Sequence, residues 1–308
     1  MYDLIGDIHG HADELEQLLE ILGYRRIGRN YSHPNRQVIF VGDYIDRGPK
    51  IRQTLEIVRG MVDAGCALAV LGNHEINALA FHTESPDQLG NYLRPHTTKH
   101  VRQHQQTLDQ VPSIELAEYM EWFRTMPLWL DLSELRVVHA CWHPAAISAI
   151  EQALIKHNGI TTPFLKEAFD HESELFRAVE VALKGPEALL PTGISYTDKD
   201  GNERDMMRTR WFITAENQTY RTYAIRSEEI ASDDALSPQV VANACPYPVD
   251  AKPVFIGHYW MRPDPPSLLA PNVACLDYSV AKGGFLTAYR WDGESRLDDR
   301  KFVTVNAR

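Results

Sequence analysis

Four residues able to hold a metal ion stand in the first quarter of the chain, each just past a short apolar run. Tyr2–Ile5 runs into Gly6-Asp7-Ile8-His9-Gly10, residues 37–41 run into Gly42-Asp43, and residues 67–71 run into Gly72-Asn73-His74-Glu75. Two later apolar runs end in the same way, at Val137-Val138-His139 and Phe255-Ile256-Gly257-His258. Asp7, His9, Asp43, Asn73, His139 and His258 together offer carboxylate, imidazole and amide oxygen, a donor set that suits manganese, iron or zinc. Six ligands are too many for one ordinary site and natural for two ions sharing a bridging carboxylate. Paired metals about 3.5–4 Å apart clamp the attacking and leaving oxygens of an in-line displacement. Two divalent charges set against two aspartates and one bound hydroxide leave a net positive centre. Such a centre attracts a phosphate dianion and lowers the pKa of bound water.

These residues need strands that end together. Leu15, Leu18, Leu19 and Leu22 follow the first run at one-face helical spacing, and Ile51, Leu55, Val58 and Val62 follow the second. Strands alternating with helices predict a largely parallel sheet, whose strand C-termini collect polar side chains in one crevice. Residues 83–112 are polar and are expected to form an irregular insertion. A helix is expected over residues 114–126, strands over 128–132 and 136–139, and a helical cap over about 144–190. A hairpin is expected around Asp198-Lys199-Asp200-Gly201, and strands over residues 254–256, 273–277, 285–291 and 302–305. The expected whole is one domain over residues 1–308, with two packed sheets flanked by helices.

The sequence has 308 residues with 44% hydrophobic and 24% charged content, as in ordinary globular enzymes. A net charge of −11 opposes nucleic acid and anionic membranes, so any attraction for a phosphate must be local. No apolar run is long enough to cross a bilayer. If Met1 is the true start, the opening strand leaves no room for a secretory signal. Cys66, Cys141, Cys245 and Cys275 form no CxxC pair and lie in apolar or strand-like stretches. They are expected to be reduced, buried thiols in a cytoplasmic protein.

The blocks Gly6-Asp7-Ile8-His9-Gly10, Gly42-Asp43-Tyr44-Ile45-Asp46-Arg47-Gly48 and Gly72-Asn73-His74-Glu75 resemble the three signatures of the phosphoprotein phosphatase family of metallophosphoesterases, in order and spacing. That family includes serine/threonine phosphatases and bacterial diadenosine tetraphosphatases. The resemblance implies a calcineurin-like four-layer α/β/β/α sandwich. It implies that Asp7 and His9 hold a first metal, that Asp43 bridges both, and that Asn73, His139 and His258 complete the second. Manganese is the first expectation, with iron or zinc as alternatives. His74 would protonate the leaving oxygen, oriented and kept charged by Asp46, a pairing that favours imidazolium on its own physics. Arg47 would fork onto the phosphate oxygens.

The implied reaction is phosphomonoester hydrolysis by in-line attack of metal-bound hydroxide, on a phosphoprotein or small phosphoester. Hydrolysis of dinucleoside polyphosphates such as diadenosine tetraphosphate is the alternative. The first is preferred because the acidic composition offers no evident basic track for a polyphosphate. The family has a glycine pair or Ala-Gly after the histidine matching His139. Here Ala140-Cys141-Trp142-His143 follows and is expected to reshape the pocket wall. Arg208 and Arg210 alternate along an expected strand and are candidates for a second phosphate contact. His96, His100 and His104 recur every four residues; a solvated polar helix is expected there in preference to a metal site.

Overall fold

A computed structural model describes residues 1–28, 30–197, 201, 203–262 and 264–308. The strand β1 (Tyr2–Ile5) starts the first sheet. A hairpin of β2 (Arg25–Ile27) and β3 (Asn30–Ser32) leads into β4 (Gln37–Phe40), which lies parallel to β1 and to β5 (Ala67–Ala69). The three turns that carry Asp7, Asp43 and Asn73 thus leave neighbouring strands at the same sheet edge, as the alternation of strand and helix requires.

The second sheet pairs β6 (Trp129–Asp131) with β7 (Arg136–Val138). A small two-stranded ribbon joins β8 (Glu187–Leu189) to a later strand, and β9 (Tyr196–Thr197) pairs with β10 (Glu203–Arg204). The ribbon partner of β8 is β11 (Met206–Arg208). The hairpin of β9 and β10 matches the sequence expectation, although Asp198, Lys199 and Asp200 of its turn lie outside the described residues. The strands β12 (Val254–Ile256) and β13 (Val273–Cys275) extend the second sheet parallel to β7. The first sheet is completed by β14 (Asp277–Tyr278), β15 (Phe285–Trp291) and β16 (Phe302–Asn306), with β15 antiparallel to β1.

Alternation along the strands sends side chains to two different cores. Leu4, Ile39, Val137, Phe255, Ala274 and Tyr289 pack together between the sheets. On the outer face of the first sheet, Val38 and Phe40 meet Leu15 and Leu18 of α1 (Ala12–Ile21) and Leu55 and Val58 of α2 (Ile51–Asp63). After α3 (Asn73–Phe81), α4 (Thr98–Gln110) and α5 (Ser113–Thr125) come the helices α6 (Pro144–His157), α7 (Thr162–Ala168) and α8 (Glu174–Lys184). Ile150 of α6 and Val179 and Ala182 of α8 share a core with Val138 and Ile256. Helix, sheet, sheet and helix stack as four layers. Residues 83–112 differ from expectation: α4 is regular, and its buried His104 and Thr107 pack into the framework.

Candidate active site

Six non-glycine residues at the strand-end turns adopt left-handed backbone: His9, Asp43, Asp46, Arg47, His258 and Trp260. Non-glycine residues seldom do so, and such strain persists where surrounding structure over-determines it. Here the loops bond to one another. The backbone N–H groups of Ile8 and His9 donate to Asp43 O, and Gly48 N donates to His9 O. Glu75, fully buried, accepts from Asp43 N and Gly72 N at 2.9 Å and from Tyr44 N at 2.8 Å, tying the second turn to the third. Burial and the nearby Asp43 raise its carboxyl to about 7. Two glycines make room for the acids. A Cβ on Gly72 would stand 2.2 Å from Asp43 Oδ1, and one on Gly257 would stand 2.0 Å from Asp7 Oδ1.

The six expected ligands converge. The donor atoms of Asp43, His139 and His258 all lie within 4.8 Å of one another, and so do those of His9, Asp43 and His74. Asp43 belongs to both groups. His9 Nδ1 donates to Ile45 O at 2.8 Å and His139 Nδ1 to Val41 O at 2.8 Å, so each ring, when neutral, keeps its Nε2 lone pair for the site. Asn73 Oδ1 lies 2.7 Å from His258 Nδ1 and 3.2 Å from His139 Nε2. Asp7 Oδ2 accepts from His258 N, while Asp7 Oδ1, His9 Nε2 and His258 Nε2 are buried without a partner.

Electrostatics also fit a pair of cations. Burial, Asp277 and Asp43 push the Asp7 carboxyl well above its usual range. Burial lowers His9 and His258. Burial opposes ionised Asp43, but His139, His74 and His9 hold it well below the usual range. Orphaned ligand atoms, neutral imidazoles and crowded carboxylates are what bound divalent ions would satisfy.

His74 Nδ1 meets Asp46 Oδ2 at 2.5 Å. Burial opposes the ionised Asp46, while hydrogen bonds from His104 and His74 hold its carboxyl below the usual range. The Arg47 guanidinium lies 4.5 Å over the Trp260 ring, with its Nε buried and unpartnered. Asp43, Asp46, Arg47, Asn73, His74, His258 and Trp260 border a cavity of about 500 Å³ whose far walls come from residues 93–103, 169–184 and 187–230.

Arg208 lines that cavity, within 3.8 Å of Glu187. Arg210 is not among the lining residues; it donates to Thr222 O and lies over Phe212. The run after His139 also stays away from the cavity. Trp142 packs under Arg136, and His143 caps α6 by accepting from Ala146 N. Cys141 and Cys275 are buried, and burial raises both thiols; Cys66 is half-buried and Cys245 exposed, unlike the expectation for them. His96, His100 and His104 do not converge. His96 stacks between Phe81 and Tyr92, His100 bonds Pro95 O, and His104 is buried against Asp46. The expected solvated helix face is therefore corrected at His104. Sequence reasoning also missed Glu75 and Asp277; Asp277 accepts from Trp260 N and Ser279 N. Glu75 stood inside a signature block and was the detectable one.

A family model described as calcineurin-like phosphoesterase matches residues 2–193. The chain belongs to that family. Such phosphoesterases use a dinuclear divalent metal centre. This phosphoesterase is 31% identical over 139 residues to the bis(5'-nucleosyl)-tetraphosphatase PrpE (asymmetrical) of Oceanobacillus iheyensis, covering 45% of the chain and 54% of that protein. It is 33% identical over 137 residues to the symmetrical bis(5'-nucleosyl)-tetraphosphatase of Vibrio cholerae, covering 44% and 43%. The chain thus spans about half the length of the curated relatives it matches. A solved cold-active protein-tyrosine phosphatase of a psychrophilic Shewanella aligns with 100% of the chain and 80% of its own, at TM-score 0.50 and 16% identity, which shows the shared fold. No described helix is long and apolar enough to cross a membrane.

Proposed function

We propose that this phosphoesterase hydrolyses dinucleoside polyphosphates, with diadenosine tetraphosphate as the type substrate. The observation that carries this is the cavity beyond the ligand cluster. Arg94, Lys99, Lys184, Arg204, Arg208 and Arg226 line it together with Phe169, Phe176, Tyr196, Tyr259 and Trp260. A basic track, the feature that composition failed to suggest, is assembled from segments far apart in the chain. Lys184 pairs with Glu180, Arg208 with Glu187 and Arg226 with Glu229; these carboxylates line the cavity as well, so they orient the cations while offsetting part of their charge. The names of the curated relatives support the same reading. A phosphomonoester needs only the end of this cavity nearest the ligand cluster.

In this reading Asp7, His9, Asp43, Asn73, His139 and His258 hold two divalent cations, with manganese the first choice. When bound, the pair supplies positive charge for the phosphoryl oxygens and lowers the pKa of water. Arg47, flattened on Trp260, presents its guanidinium to the phosphoryl oxygens. Asp46 orients His74 through Nδ1, and His74 gives a proton to the leaving oxygen. Arg208 contacts the remainder of the phosphate chain. The four unpaired thiols support a cytoplasmic setting. A hydrolysis screen over phosphopeptides, mononucleotides and dinucleoside polyphosphates, with manganese present, tests the reading. Greatest turnover on the dinucleoside polyphosphates is expected; a phosphopeptide in first place would reinstate a protein phosphatase.

A further inference from the structure

Behind the His74–Asp46 pair lie groups that the proposed chemistry leaves unused. Asp46 Oδ2 meets His74, while Oδ1 accepts from His104 Nδ1 at 2.7 Å and from Thr107 Oγ1 at 2.6 Å. The Thr107 hydroxyl also accepts from Asp46 N at 3.0 Å. Both residues come from α4, one turn apart, and are 2% and 0% exposed. On its other side His104 Nε2 stands 3.0 Å from Nε2 of His82, just past the end of α3. Four side chains therefore run in series, His74–Asp46–His104–His82. They reach from the catalytic cavity to a second one, of about 370 Å³, that His82 lines with Leu108, Met120 and Arg124.

The terminal torsion of an aspartate is broad, so one bond to His74 cannot set the plane of the carboxylate. Two buried donors on the opposite oxygen can. The hydrogen-bond pattern also assigns the proton that faces Asp46. An ionised Asp46 only accepts, so His104 carries a proton on Nδ1, and its Nε2 shares one proton with His82 Nε2. Thr107 meanwhile satisfies the N–H of a residue held in left-handed backbone, at φ 68°.

We propose that His104 and Thr107, with His82 behind them, are positioning residues for proton transfer. They fix the Asp46 carboxylate so that Oδ2 holds the His74 ring in one orientation. The inference rests on the reading of His74 as the proton donor. It assigns to α4, a segment whose sequence suggests only a polar insertion, a part in catalysis exerted through Asp46.

Four variants test it: His104→Leu, His104→Asn, Thr107→Val and His82→Leu, with His74→Ala as reference. Each is assayed on phosphate esters with alkyl and nitrophenyl leaving groups. His104→Leu should lower kcat on the alkyl ester about 10–100-fold, the scale of a displaced catalytic group. KM should stay nearly unchanged, and the nitrophenyl ester should lose much less. His104→Asn, which keeps an N–H near the Nδ1 position, should recover most of the loss; His82→Leu should show the same pattern more weakly. Independently of any substrate, the His74 Nδ1 proton should give a downfield, slowly exchanging resonance that His104→Leu broadens away. If His104→Leu does not fold, Thr107→Val and His104→Asn carry the test. Equal losses on both esters, or a His74 proton resonance unchanged in His104→Leu and Thr107→Val, would overturn the inference. Equal losses in His74→Ala would instead remove the proton-donor reading itself.

Discussion

The carboxylate of Asp43 accepts the backbone N–H of His74 at 3.0 Å through Oδ1. Asp43 Oδ2 meanwhile stands 3.6 Å from His9 Nε2 and 3.3 Å from His139 Nε2. One side chain therefore faces both ligand groups and also pins the first turn of α3, which carries His74. If the proposed metals bind there, their binding and the placement of His74 are coupled through that carboxylate.

This coupling makes Asp43 the most sensitive position. Asp43→Asn should leave the purified protein with less than one bound metal where the unaltered chain binds two, by elemental analysis. Activity should fall with the metal content, and chelation of the unaltered chain should abolish turnover until manganese is returned. Two metals retained in Asp43→Asn would contradict the shared role.

Metal affinity should depend on pH with a defined sign. Burial opposes a charged His139, but Asp43 and Asp7 raise the ring from 6.5 to about 10. That raised value stabilises the metal-free fold below pH 6.5, and the contribution is lost as pH rises through about 10. A cation needs the neutral ring, so it must displace this proton at neutral pH. Affinity should then rise up to about tenfold per pH unit for each proton released. Calorimetry in buffers of different ionisation enthalpy measures the release; metal uptake without protons would count against the assignment of His139.

Glu75 holds two turns together through backbone N–H groups, that of Asp43 included, without meeting a candidate ligand atom. Glu75→Gln replaces one acceptor oxygen with a donor facing backbone N–H groups. A buried mismatch of that kind costs about 1–3 kcal/mol, readable by urea denaturation. Metal affinity should weaken as well, because the donors come from Gly72 and Asp43 themselves. Unchanged stability would mean that the turns hold without it.

The arginines separate substrate classes. Arg208→Ala and Arg226→Ala should raise KM for diadenosine tetraphosphate while leaving nitrophenyl phosphate nearly unaffected. Arg47→Ala should harm both substrates, and Arg210→Ala, whose side chain is not among those lining the cavity, should harm neither. Equal responses at Arg208 and Arg47 would place both on the same phosphoryl group.

The first sheet and its ligands were legible because β1, β4 and β5 each announce themselves twice, as an apolar run and as the Gly-Asp or Gly-Asn turn that ends it. His139 and His258 followed the same rule on the second sheet. What escaped was assembled at a distance. His104 sits on a helix with no apolar stripe, and nothing local signals that a buried carboxylate 58 residues away needs its N–H. The basic track was hidden for a related reason. Its cations come from residues 94–99, the end of α8 and residues 204–226, and acids such as Glu180 beside Lys184 and Glu187 near Arg208 offset them in any count of charge. Arg208 and Arg210 looked alike by alternation, but β11 ends at Arg208 and Arg210 opens the turn that follows, with Ile213 N donating to Arg210 O.

The proposed substrate of this phosphoesterase is a polyphosphate bridging two nucleosides. Competition between diadenosine tetraphosphate and a phosphomonoester in one manganese-containing reaction tests it most directly, because the ratio of rates gives the ratio of kcat/KM. The account predicts at least a tenfold preference for the tetraphosphate, about 1.4 kcal/mol in the transition state. A preference of that size for the phosphomonoester would contradict it.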